Sequence, residues 1–178
     1  MRRLILIIVS FSVLTFTASA QVEERNRGIE LYEAEKYDEA VAVLQAVVDK
    51  QPANKVAWTY LGGALMNLNR KDEALAAFKK PLGGPPLPKV EKSLKILKKD
   101  PAPYTELARD NNIEGTVVVV VELKADGKIG FVVPIKELAF GLTENAVRSA
   151  RSTRFEPAVR NGKPVTQIRM MSYSFDRY

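Results

Sequence analysis

The spacing of apolar residues changes character several times along the chain, and each change predicts a different kind of structure. From Leu4 to Thr17 nearly every residue is apolar. Between Arg25 and Phe78 apolar and small residues recur three and four apart, the period of amphipathic helices, and the pattern repeats after 34 residues. Gly28 answers to Gly62, Ala40 to Ala74, Leu44 to Phe78 and Asp38-Glu39 to Asp72-Glu73, with Pro52 and Pro86 at the same interval. Each unit predicts a pair of helices: in the first, about Glu24 to Glu35 and Asp38 to Asp49, with a turn at Lys36-Tyr37 and with Ala40, Val43, Leu44 and Val47 on one apolar face. Asp38 and Asp72 are the expected N-caps of the second helices. Gly62 and Ala74 let helices approach closely, and Trp58 and Phe78 are expected to fill the remaining core space. Two units leave an apolar end uncovered. Val90, Leu94 and Leu97, at i, i+4 and i+7, predict that Lys89 to Lys99 is a helix capping that end.

Pro81-Leu82-Gly83-Gly84-Pro85-Pro86-Leu87-Pro88 then forbids a continuous helix, and Pro101 and Pro103 mark a second break. Beyond them the period shortens. Tyr104, Leu107 and Ala108 predict a short helix, and the five valines Val117 to Val121 predict a strand. Asp126-Gly127 predicts a turn leading into a second strand, Ile129 to Ile135. Thr143 is the expected cap of a helix with Leu142, Ala146, Val147 and Ala150 on one side. Asn161-Gly162 marks another turn, and Val165 to Phe175 reads as the final strand, with Val165, Met171, Tyr173 and Phe175 sharing one face. The order helix, strand, strand, helix, strand predicts a small α+β domain with an antiparallel three-stranded sheet.

Composition adds little to this division: 46% hydrophobic and 27% charged residues describe an ordinary globular protein. The N-terminus changes the picture more. Arg2-Arg3, the apolar run and Ala18-Ser19-Ala20 have the order of a secretory leader cleaved after Ala20, which implies export. The alternative is an uncleaved anchor, but fourteen residues interrupted by Ser10, Ser12 and Thr15 fall short of the roughly 20 that a membrane span requires. The expected organisation is a leader at 1–20, a repeat region at 21–86, a lysine-rich cap and hinge at 87–100, and an α+β domain at 101–178. The basic excess lies in the hinge: Lys79 to Asp100 holds seven Lys or Arg against two Asp or Glu, whereas 21–78 holds seven against ten. Such charge on a linker reads as solvated surface, or as contact with anionic lipid headgroups, and not as a nucleic-acid face.

The second helical unit, with Trp58, Leu61, Gly62, Ala74 and Phe78, resembles the tetratricopeptide repeat; Glu24 and Arg27 depart from it in the first unit. The resemblance implies protein binding along the face of the first helices, here Arg25, Tyr32, Thr59, Met66 and Asn67. The second half resembles the TonB C-terminal domain through Pro103-Tyr104, Ala108, Ile113-Glu114-Gly115, Asp126-Gly127, Asn145-Ala146-Val147, Phe155-Glu156-Pro157-Ala158, Gly162-Lys163-Pro164-Val165 and Phe175. Thr105 and Thr153 depart from that family's usual proline and tryptophan. The resemblance implies a periplasmic domain that accepts a peptide of an outer-membrane transporter as an added strand, with Val165, Gln167, Arg169, Met171, Tyr173 and Phe175 on the accepting strand.

Two readings of the whole follow. One is an exported periplasmic adaptor that binds a transporter peptide or another periplasmic partner, with a homodimer also open. The other is a TonB-type energy transducer anchored in the inner membrane through residues 1–20 and supporting outer-membrane transport. The family's transmembrane histidine has no counterpart here, because the chain contains no His, and about 22 residues of hinge reach only about 70 Å. An enzyme is the least supported class. Without His or Cys the commonest general base, metal ligand and thiol nucleophile are missing, so no catalytic residues, metal or cofactor are expected.

Overall fold

The structure is a computed structural model and describes residues 19–80 and 87–176. Most of the expected leader and the Gly83-Gly84 hinge lie outside the described residues. The chain divides into two compact units between Pro88 and Lys89.

The first unit is all helical. Helix α1 covers 19–33 of the described residues, α2 runs Tyr37–Lys50, α3 Lys55–Asn67 and α4 Lys71–Phe78. The 34-residue period is visible in the turns as well as in the helices. Glu35 (φ 59°) and Asn69 (φ 60°) both adopt the left-handed conformation. After them the Lys36 amide donates to Leu31 O (2.9 Å) and the Arg70 amide to Leu65 O (2.8 Å), which is the six-to-one closure of a Schellman turn. That closure places the next helix start one residue earlier than the acidic pair suggests. Lys36 and Arg70 are the N-cap residues, neither with a side-chain capping bond. Asp38 and Asp72 are therefore first-turn residues and not caps, and their charges complement the positive end of each helix dipole. Among α2, α3 and α4 the capping side chain is Asn54, whose Oδ1 accepts the Ala57 amide of α3 (3.1 Å).

Gly28 and Gly62 do what their spacing implies. A Cβ on Gly28 would meet Leu44 at 2.7 Å, and one on Gly62 would meet the Phe78 ring at 2.7 Å. Phe78 and Ala74 are buried, but Trp58 is only half-buried, so it is not the core filler expected. Its indole N–H donates to Pro52 O (2.8 Å), which draws the ring toward the α2–α3 turn, and the Lys80 ammonium stands over it at 5.1 Å.

The second unit is the α+β domain. Its elements are β1 Lys95–Lys98, α5 Glu106–Asp110, β2 Gly115–Leu123, β3 Ile129–Lys136, α6 Leu142–Arg151, β4 Arg154–Glu156, β5 Ala158–Arg160, β6 Lys163–Val165 and β7 Gln167–Phe175. The main sheet has the antiparallel order β3-β2-β7. Because side chains alternate across a strand, Val117, Val119, Val121 and Leu123 face one core together with Met171, Tyr173 and Phe175, and Leu142, Ala146 and Ala150 of α6 belong to the same cluster. The β2–β3 hairpin closes where Gly127 takes φ +82°, open to a residue without Cβ, and where the Lys128 amide donates to Asp126 Oδ1 (3.0 Å).

Three expectations need correction here. The segment Lys89–Lys99 is not a capping helix. The Lys92 carbonyl accepts the Val159 amide (2.8 Å), and Lys95–Lys98 pairs antiparallel with β4, so the backbone bonds a helix would need are made across the fold. Thr143 is not a cap either: α6 begins after Gly141, which takes φ +81°. The Thr143 hydroxyl instead accepts the Leu138 amide (2.9 Å) and donates to Leu138 O (2.8 Å), pinning the incoming loop. Finally, Val165 to Phe175 is two strands. Val165 pairs with Ala158 across the Asn161-Gly162 turn, and β7 begins only at Gln167.

Candidate functional site

A three-stranded sheet has two outer edges, and an edge offers unpaired backbone N–H and C=O groups to any added strand. The two edges here differ. Strand β3 carries Pro134, which lacks an N–H donor, and its register against β2 shifts twice. Strand β7 instead pairs with β2 residue for residue over nine positions, from Gly115↔Phe175 to Leu123↔Gln167, without a bulge. Among the described residues no strand pairs with the far side of β7. Regular extended backbone is the better template, so β7 is the candidate accepting edge.

What lies along that edge is only partly what the sequence pattern suggests. Met171, Tyr173 and Phe175 turn into the core and are almost wholly buried, so they support the strand from beneath. Gln167 is buried too, and its Oε1 accepts a hydrogen bond from the Arg169 guanidinium (2.7 Å). Val165 belongs to β6 and is not on this edge. On the opposite face of β7, Ser172 and Ser174 are exposed. An added strand would therefore be read by β7 backbone, with Ser172 and Ser174 flanking it.

One further residue reaches this edge from outside the sheet. The Lys99 ammonium donates to Ser172 O (2.8 Å) and stands 4.4 Å from the centre of the Tyr173 ring. Nearby, Tyr104 packs edge-on against Phe175 (5.9 Å) and its hydroxyl donates to Ile113 O. Asn145 Nδ2 donates to Pro103 O (2.7 Å) and Ser149 Oγ to Pro101 O (3.2 Å), so α6 holds the segment carrying Lys99. Burial pushes the Tyr173 hydroxyl above its usual pKa. Lys99 carries no signal in the sequence pattern, because it sits among other lysines and its contact spans 73 residues.

The five residues expected in the helical groove do not form one surface. Arg25 and Tyr32 are almost wholly buried. The Tyr32 ring meets Tyr37 and Tyr60 edge-on, and its hydroxyl accepts from Asn67 Nδ2 (3.3 Å). Arg25 donates to Asn26 Oδ1 (2.9 Å), and burial lowers its pKa from the ordinary guanidinium value. Thr59 donates to Lys55 O (2.9 Å) and is half-buried, as is Met66. Only Asn67 is exposed. Tyr32 and Arg25 thus pack the helices together, and are corrected from groove contacts to interior residues. A separate open depression of about 170 Å³ lies at the α1–α2 turn, lined by Glu35, Lys36, Tyr37, Asp38, Glu39 and Leu68.

Among the described residues no group of three acidic, His or Cys side chains is placed to hold a metal, and no helix is long and apolar enough to cross a membrane.

The geometry defines two compact modules in series: paired helical hairpins, then a small sheet domain with one regular edge that no strand pairs among the described residues. Comparison with known families puts names to both modules. Residues 100–176 match the family described as Gram-negative bacterial TonB protein C-terminal, and residues 25–84 match the tetratricopeptide repeat. The chain carries a TonB C-terminal-type domain behind tetratricopeptide repeats. Among solved structures, the solution structure of the Pseudomonas aeruginosa TonB C-terminal domain is 29% identical, covering 47% of this chain and 86% of that one with a TM-score of 0.39. No curated protein matches the chain.

Proposed function

We propose that the protein is an exported periplasmic adaptor, not an enzyme, whose TonB-type domain captures a peptide of a partner protein as a strand added to β7. The observation that carries this reading is the unbroken nine-residue register of β7, with no strand paired to its far edge among the described residues. Backbone pairing supplies the affinity in such a mode, and the flanking side chains supply selectivity. The family match supports a partner in the cell envelope, an outer-membrane transporter peptide among the candidates. The leader supports export, and the absence of His and Cys supports binding over catalysis.

The test is site-specific photo-cross-linking in the native envelope. A photoreactive residue at Ser172 or Ser174 is expected to trap an extended peptide of one partner, whereas the same residue at Lys136, on the β3 edge, is not. Equal yields from both edges would overturn the assignment. The anchored-transducer alternative makes a separate demand, that residues 1–20 remain on the mature chain. Intact mass of the native protein decides between that and a start at Gln21.

A further inference from the structure

Lys99 stands apart from the other lysines of its segment. Lys92 pairs with Glu156 (2.7 Å) and Lys98 with Asp100 (3.1 Å), each beside its own stretch of surface. Of these three, Lys99 is the one that reaches β7, and it takes a backbone acceptor. In an antiparallel ladder alternate residues turn their N–H and C=O toward one neighbour or the other. Pro134, opposite Val119, has no N–H to give β2, so Val119 exchanges its backbone bonds with Met171 on β7, and the next residue, Ser172 opposite Val118, turns its carbonyl away from β2, where Lys99 meets it. The acceptor that Lys99 occupies is therefore one that an added strand would need. The ammonium also stands over the Tyr173 ring, a second favourable contact that it gives up on leaving.

We propose that Lys99 is a selectivity residue of this edge: a displaceable plug that an incoming strand must evict, and that keeps a second copy of the chain off β7. The inference rests on the reading of β7 as the accepting edge. A long regular edge invites pairing with its own kind, and an inward-reaching lysine is a common guard against that. Eviction gives up one charged hydrogen bond and one cation–π contact. A bonded amide from the added strand restores the first at Ser172 O, and the ammonium regains water. The edge thus admits strands that bond along most of its length and rejects short or transient ones.

The experiment compares self-association of the full chain by sedimentation equilibrium in the natural sequence, Lys99→Ala, Lys99→Gln and Lys98→Ala. Amide hydrogen exchange is followed over 167–175 in each. Lys99→Ala is expected to raise the association constant roughly a hundredfold, about tenfold for each of the two plugs that edge-to-edge pairing of two copies must evict. Amides of Met170, Ser172 and Ser174 should then gain protection as concentration rises. Lys99→Gln, which keeps a donor but not the charge, should fall between, and Lys98→Ala should match the natural chain. The same association constant for Lys99→Ala and the natural chain overturns the proposal, as does added association that leaves the β7 amides unprotected. If cross-links form at Ser172 while Lys99→Ala changes nothing, the plug is wrong and the accepting edge stands. If neither is observed, both fall.

Discussion

Replacing Gly62 by alanine sets two effects of known sign against each other. In the middle of α3 the substitution relieves the backbone entropy cost of glycine, worth about 1 kcal/mol in favour of the variant. Against this, the added Cβ would sit 2.7, 2.8 and 3.0 Å from three carbons of the Phe78 ring. Phe78 is the last residue of α4 and 3% exposed, so its ring is held by packing and not by solvent-facing freedom. To regain ordinary contact, α4 must shift or the ring must leave its rotamer, and overpacking of this kind costs typically about 1–3 kcal/mol. The net expectation is destabilisation of about 1 kcal/mol, which lowers the melting temperature of a unit this size by roughly 4–8 °C. Thermal unfolding followed at 222 nm reads the helical unit directly. In the Phe78→Ala background, where no ring is left to meet the Cβ, Gly62→Ala should no longer destabilise, whereas leucine at 78 would not clear it, since a Cβ on Gly28 meets Leu44 just as closely. A single variant as stable as the natural chain, or more so, would refute the close-approach account of the repeat.

Two further perturbations test the C-terminal unit. Thr143→Val keeps shape but removes both bonds to Leu138, and is expected to cost about 1–2 kcal/mol, since half-buried backbone groups are left unpaired; chemical denaturation that places the valine variant level with threonine would contradict it. Glu156 titrates below its ordinary value, first because its carboxylate accepts a hydrogen bond from Lys92 and then through that lysine's charge. A depressed carboxyl contributes stability above its unfolded pKa and loses it as pH falls through the folded one. The carboxyl carbon of Glu156, followed by NMR, should therefore titrate low, and in Lys92→Ala its midpoint should rise; an unmoved midpoint would remove the ion pair from the account.

How much of this was legible before the structure depends on where each signal resides. The 34-residue period identified the helical hairpins because it is written in side-chain type: Gly28 and Gly62 each abut the residue sixteen positions on, Leu44 and Phe78. The start of each second helix is not legible in side-chain type, because it is set by main-chain geometry. Asp38 and Asp72 have the chemistry of caps, but the left-handed residues Glu35 and Asn69 close the preceding turn and begin the helix a residue ahead of them. Likewise, Val90, Leu94 and Leu97 carry a helical spacing over only eleven residues, too few to outweigh pairing with Arg154–Glu156 and Val159, partners some sixty positions away.

The same distinction explains the site. The strand proposed to accept a partner is legible because apolar alternation marks a strand with one buried face, and the face that alternation marks is the inner one. Met171, Tyr173 and Phe175 were therefore found for the reason that disqualifies them as contacts: they are apolar because they are buried. Residues that meet a partner on an added strand are the complementary set, the backbone and the small polar side chains between them. Ser172 and Ser174 have no periodic signature of their own, and Lys99 joins them through a main-chain oxygen that no sequence pattern encodes. If β7 binds through its backbone as proposed, apolar periodicity marks the strand and not its outer surface. The selectivity of such an edge has to be sought in side chains that reach it from elsewhere in the fold, and among the described residues Lys99 bonds the β7 backbone from outside the sheet.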